Sequence, residues 1–243
     1  MELIQKFLFI AEVSYVLVGL DLLRRAKMTR GLPELFLGLA FVCNGFSYFF
    51  ADFPILTEND AIMDEFSYVG RIFAGLCSMT IAVFAWRVFR PESSLARWSV
   101  WTIGALLVTG AVVSAIEGDW VGAYPLTYRG FWFEWVGGAV PFVWLAAESL
   151  RSYSQMRLRM RIGLADPLVT NRFLLIGLYG LLATITYPTF LWMYIVYERY
   201  GTWSDPIGTF AGVVELVSLA ALWTSISAPA FYRRWVCGAQ ASS

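Results

Sequence analysis

Seven apolar stretches divide this chain, near residues 4–23, 33–51, 66–88, 98–116, 131–150, 173–197 and 206–228. Each is long enough to cross a bilayer as a helix, which takes about 20 residues. In hydrocarbon the backbone must satisfy its own polar groups, so helices are the expected form of every stretch. Charged residues make up 15% of the 243 and apolar residues 58%, whereas a soluble domain carries about 25% charge. So few charges could not cover a soluble surface of this size. The chain therefore reads as an all-α integral membrane protein, one seven-helix domain over 1–243. The first stretch is expected to stay as a helix: its N-terminal region carries Glu2 as well as Lys6, no small-residue cleavage site follows, and a basic cluster closes it.

The loops alternate in charge. Arg24, Arg25, Lys27 and Arg30 fall in the first, Arg87, Arg90 and Arg97 in the third, Arg151, Arg157, Arg159, Arg161 and Arg172 in the fifth, and Arg233 and Arg234 in the tail, or 14 of the 18 basic residues. The intervening loops hold Asp52, Glu58, Asp60, Asp64, Glu65, Glu117 and Asp119. Basic loops stay cytoplasmic, so the N-terminus is expected outside and the C-terminus in the cytoplasm. Tryptophans form two belts, with Trp120, Trp132, Trp135, Trp192 and Trp203 at the outer boundary and Trp86, Trp98, Trp101, Trp223 and Trp235 at the inner one.

The chain has no histidine and three cysteines, Cys43, Cys77 and Cys237, with no C-x-x-C spacing. His-ligated haem or zinc, di-iron His boxes and a Ser-His-Asp triad are thereby excluded. No metal ligand set, cofactor or catalytic residue is expected, and the protein reads as a non-enzyme. A formal net charge of zero argues against a nucleic-acid partner. The lipid bilayer is the partner the composition demands.

A weak repeat runs through the sequence. Gly38-Leu39 and Ser47-Tyr48 in the second stretch match Gly177-Leu178 and Thr186-Tyr187 in the sixth. Phe73-Ala74-Gly75 and Trp86 in the third match Phe210-Ala211-Gly212 and Trp223 in the seventh, at equal spacing. Asp21-Leu22-Leu23-Arg24 ends the first as Glu148-Ser149-Leu150-Arg151 ends the fifth. The order suggests two parallel three-helix units joined by the fourth helix, or chance matches in apolar sequence.

Polar groups inside the stretches are few. An ionisable group in hydrocarbon costs about 2.5–3.5 kcal/mol on insertion scales and usually has a task. Glu12 lies midway along the first stretch, Arg71 about one turn into the third, Glu134 just inside the fifth, and Glu215 well within the seventh. Asn44, Thr184, Thr186 and Tyr187 add neutral polarity. Arg71 is expected to pair with Glu215 or Glu12, while Asp21 and Glu148, near the inner ends, can snorkel or pair with Arg24 and Arg151. One arginine cannot neutralise three carboxylates. The set therefore serves as a structural clamp, as a ligand-binding pocket open to the outer side, or as a proton-coupled site. Glu12, Asn44, Arg71, Glu134, Thr186, Tyr187 and Glu215 are the candidate ligand-binding residues. Pro141 and Pro188 each free a carbonyl and can bend helices around such a pocket, or serve packing alone.

Seven helices in a three-plus-one-plus-three order resemble the topology of opsins, heptahelical receptors and SWEET-type sugar transporters. The residues depart from each: the only lysines are Lys6 and Lys27, the seventh helix carries Glu215 instead, and no Pro-Gln pair occurs. In the fifth loop, Gly163-Leu164-Ala165-Asp166-Pro167-Leu168-Val169-Thr170-Asn171-Arg172-Phe173 resembles a segment of uncharacterised bacterial seven-helix proteins. That resemblance implies a multi-pass protein of the bacterial inner membrane. Asp166-Pro167 reads as a turn, with Thr170 or Asn171 capping the sixth helix. The basic loop 151–172 is expected to meet anionic lipid or a protein partner. Three functions compete: a sensor-like protein binding a small molecule in an outer-half pocket, a small-solute or proton-coupled transporter, and a non-catalytic subunit of a larger membrane complex.

Overall fold

The computed structural model describes residues 2–57, 63–117, 125–200 and 205–238. Trp120, Trp203, Glu58, Asp60 and Asp119 lie outside the described residues. Among the described residues there are eight α-helices and no strand: α1 (Glu2–Thr29), α2 (Leu32–Leu56), α3 (Met63–Phe89), α4 (Ser94–Glu117), α5 (Arg129–Met160), α6 (Pro167–Tyr200), α7 (Asp205–Ser227) and α8 (Ala230–Gly238). A short 3-10 turn at Pro125–Thr127 leads into α5. Five helices, α2, α3, α4, α6 and α7, are both long and apolar enough to cross a membrane, which marks a multi-pass membrane protein. Helices α1 and α5 are longer than a span requires, at 28 and 32 residues, but carry Glu12 and Asp21, and Glu134 and Glu148, along their lengths.

Helix ends follow local chemistry. Arg30 and Gly31 turn the chain between α1 and α2, with Arg30 at φ 53° and Gly31 N–H donating to Thr29 Oγ1 at 3.2 Å. Ser93 Oγ accepts from Ala96 N–H at 3.2 Å and caps α4. Gly163 takes φ 73° just past α5, where a Cβ would be strained. The cap of α6 is Asp166, not Thr170 or Asn171: its Oδ1 accepts from Leu168 N–H at 2.7 Å. Pro167 then occupies the first helical position, where its missing N–H costs nothing. The tail does not trail away after α7. Ala228 at φ 40° and Pro229 turn it into α8, whose Tyr232 and Val236 pack on Leu168 and Leu175 of α6.

Helices α1, α2, α3, α5, α6 and α7 close a ring through their neighbour contacts, and α4 lies outside it against α5 and, more sparsely, α3. The half of the ring nearer the basic loops is solid. Leu22, Leu37, Phe41, Ile81, Phe84, Leu145 and Leu222 are all fully buried there. Small residues set the close crossings. A methyl group on Gly19 would fall 2.8 Å from Val42 N, and one on Gly110 would fall 2.9 Å from Glu134 N. In lipid, where apolar tails compete equally with apolar side chains, such close approach is what binds helices.

The ion pairs at the basic end differ from the expected partners. Asp21 accepts from Arg25 Nε at 2.9 Å, one helical turn away, rather than from Arg24. Glu148 accepts from Nε of Arg90, the residue just past α3, at 2.9 Å, tying the end of α3 to α5 below the core.

Candidate functional site

Toward the acidic loops the ring opens into a cavity of about 1120 Å³. Its walls come from α1 to α7, and six of the seven sequence-selected residues line it: Asn44, Arg71, Glu134, Thr186, Tyr187 and Glu215. Glu12 stands apart. It is buried at the α1–α2 seam, on a separate apolar groove of about 210 Å³ beside Val16 and Phe46.

Arg71 is not set on Glu215 or Glu12 as its spacing suggested; its Nε–H donates to Glu134 Oε2 at 3.1 Å. The second carboxylate oxygen of Glu134 accepts from Ser114 Oγ at 3.2 Å. The local cause is the α4–α5 crossing. Gly110 and Gly130 let the two backbones meet, since a methyl on Gly130 would lie 2.5 Å from Ser114 N. That approach carries Ser114 up to Glu134. At the same end Glu117 Oε2 accepts from the first backbone N–H groups of α5, Arg129 at 3.0 Å and Gly130 at 3.3 Å, where a carboxylate meets the positive end of the helix dipole.

Glu215 is buried deeper in the cavity wall, and there Tyr48 O–H donates to its Oε1. Tyr48 belongs to α2 and Glu215 to α7, so the bond spans the ring. Opposite, Ser78 of α3 is the polar side chain beside the Tyr187 phenol on α6. Ser218 and Thr186 spend their hydroxyls on their own helices, donating to Glu215 O and Ala183 O at 2.7 Å each. Several cavity-lining polar groups make no hydrogen bond among the described residues, among them the buried indole N–H of Trp135, the Asn44 carboxamide and the hydroxyl of Tyr179, a residue only 2% exposed.

Beyond Thr186 and Tyr187, sequence reading missed most of the aromatic and hydroxyl part of the site. Tyr15, Tyr48, Tyr179, Ser78 and Trp101 all line the cavity, yet in sequence they resemble ordinary apolar-helix residues. Trp101 was expected in the inner interfacial belt. A helix period counted back from Asn44 and Tyr48, four residues apart on one face of α2, could have singled out Tyr48. The described residues hold no cluster of three potential metal-ligating side chains, and the three cysteines are free thiols. No family model matches the chain, and no curated protein or solved structure matches it either.

Proposed function

We propose that this is a seven-span, ligand-binding membrane protein of sensor-like character, oriented with its acidic loops outside and its basic loops in the cytoplasm. The observation that carries this reading is the cavity: large, walled by the membrane helices, open toward the acidic end and plugged by solid core at the basic end. Ligand pockets of about 300–1,000 Å³ combine apolar walls with a few placed polar groups, and this one fits the description. The unsatisfied groups at its wall, the Trp135 indole N–H, Asn44 and Tyr179 among them, are the sort that a ligand or water completes. A closed basic end favours sensing over passage, and the Arg-rich extension of α5 with α8 offers a surface for a cytoplasmic partner. The bacterial inner membrane is the setting implied by the resemblance of loop 163–173.

A second reading, transport, is favoured by one specific set of contacts. Gly38 sits on Leu23 and Gly177 on Leu150; an added methyl would fall 3.0 Å and 2.9 Å, respectively, from the Cγ and Cδ2 of those leucines. Both residues of each pair match in the repeat register. Tyr15 against Tyr48, with ring centroids 6.3 Å apart, matches Phe142 against Tyr187 at 5.9 Å. In the same register Tyr48 and Glu215 correspond to Tyr187 and Ser78. These correspondences support a parallel duplication, α1–α3 with α5–α7, about an axis along the membrane normal.

The test is thermal unfolding of the purified protein in lipid nanodiscs against a panel of small organic molecules. Binders should raise the midpoint of the wild type and do so less for Asn44→Ala. A panel without binders, together with proteoliposome uptake of a solute, would replace sensing by transport.

A further inference from the structure

The cavity extends to the side, as far as the α3–α4 seam. Ile72 and Leu76 of α3 and Trp101, Val108 and Val112 of α4 line it, and the same residues face outward, with Leu76 48%, Trp101 65% and Val108 65% exposed. A residue can do both only where the wall is thin. The α3–α4 seam is thin indeed: it is the sparsest contact between successive spans. Gly104 meets the Met79 side chain there, whose Cε would lie 3.3 Å from an added methyl, while a methyl on Gly75 would meet nothing within 4 Å. At this level the surroundings of the protein are lipid tails, not water.

From this we infer that the ligand is a lipophilic molecule with an uncharged hydrogen-bonding head, a hydroxyl or a carbonyl, that enters from the bilayer between α3 and α4. The inference rests on the ligand-binding reading above and names its ligand class. The tail finds the apolar seam, from Leu76 and Met79 to Trp101 and Val108. The head reaches the inner wall, where Asn44 offers both a donor and an acceptor and Tyr179 a hydroxyl. The charges on the lining select against an anionic head: Glu134 already holds Arg71, and Glu215 adds a second carboxylate at the wall. A cationic head would need to shed its hydration on a path lined by Ile72, Leu76 and Val108, which a neutral head avoids.

The experiment uses the full chain in nanodiscs with the fluorescent naphthyl ketone prodan as the neutral lipophilic probe. Dodecanol, dodecanoate and dodecyltrimethylammonium, which share a tail, compete against it. Dodecanol is expected to displace prodan, with dodecanoate and the ammonium no better than their partitioning into empty nanodiscs. Gly75→Trp fills the open seam without meeting backbone and should slow prodan association about tenfold. Asn44→Ala should weaken binding about three- to tenfold through one lost hydrogen bond. Circular dichroism and unchanged unfolding midpoints show that both variants are folded. Displacement by the ammonium or dodecanoate alone overturns the uncharged head. Association unaffected by Gly75→Trp overturns the side entry. If prodan fails to bind while a water-soluble small molecule raises the unfolding midpoint, this inference falls and the ligand-binding reading stands. If nothing binds in either assay, both fall.

Discussion

Two seams between successive helices were built in opposite ways. Between α1 and α2, Gly19, Gly38 and Gly45 bring the backbones together; a methyl on any of the three would lie within 3.0 Å of a neighbour. Between α3 and α4, Gly75 faces empty space and Gly104 meets only the end of a flexible methionine. Glycine is present in both, so composition does not separate a closed seam from an open one. What differs is whether the glycines of one helix face the partner's backbone. The closed seam belongs to the scaffold; the open one gives the cavity a side wall that can be crossed.

The largest test of this contrast removes what spans the open region. Arg71 joins α3 to α5 across the cavity, and both side chains of its pair are mostly buried, 23% and 20% exposed. Arg71→Ala should cost about 3–5 kcal/mol, because it leaves a buried carboxylate uncompensated. Equilibrium unfolding in mixed micelles measures this, and Glu134→Gln in the same background should recover much of the loss. A cost below that of the glycine substitutions below would mean that water, not Arg71, stabilises Glu134.

Next comes the seam contrast itself. Gly19→Leu should destabilise by about 1–3 kcal/mol or more, the range for overpacking, since Val42 N and Gly38 O cannot yield. Gly75→Leu should change stability by no more than about 0.5 kcal/mol, as a substitution away from packed features does. Equal costs would erase the difference between the seams.

A smaller effect separates the two tyrosines. Tyr48→Phe removes a hydrogen bond to a buried carboxylate and should cost about 1.5–3 kcal/mol, whereas Tyr187→Phe, against neutral Ser78, should cost about 0.5–1.5 kcal/mol. If the duplication holds, Ser78→Asp combined with Glu215→Ser should keep the fold and reverse that order. The smallest effect is expected at the basic end. Arg90 is 39% exposed at its side chain, so Arg90→Gln should cost about 0.5 kcal/mol and leave cavity binding unchanged.

Much of the architecture was legible in sequence, because apolar runs in lipid admit only helices and charge alternation marks their ends. Helices α1 to α7 fall on the apolar stretches, with longer ends, as in α5 where the Arg-rich extension continues to Met160, whereas α8 corresponds to none of them. The exceptions arose where local chemistry competes. Thr170 is a good cap in isolation, yet Asp166 with Pro167 behind it starts the helix four residues earlier. Glu12 is as rare a mid-membrane carboxylate as Glu215, and only tertiary placement sends one to the cavity and the other to the α1–α2 seam.

The sequence by itself determined the solvent of this protein, the helical class and the shortlist of polar groups that hydrocarbon makes expensive. Those follow from transfer energies and backbone hydrogen bonding, which act residue by residue. Only the tertiary structure decided which partner each polar group took. Arg71 could reach several carboxylates by spacing, and the packing of α3 against α5 set it on Glu134, while the close approach of Gly110 to Gly130 brought Ser114 to the same carboxylate. The open seam between α3 and α4 was likewise invisible in sequence, because a void is a property of two surfaces and neither helix encodes it alone.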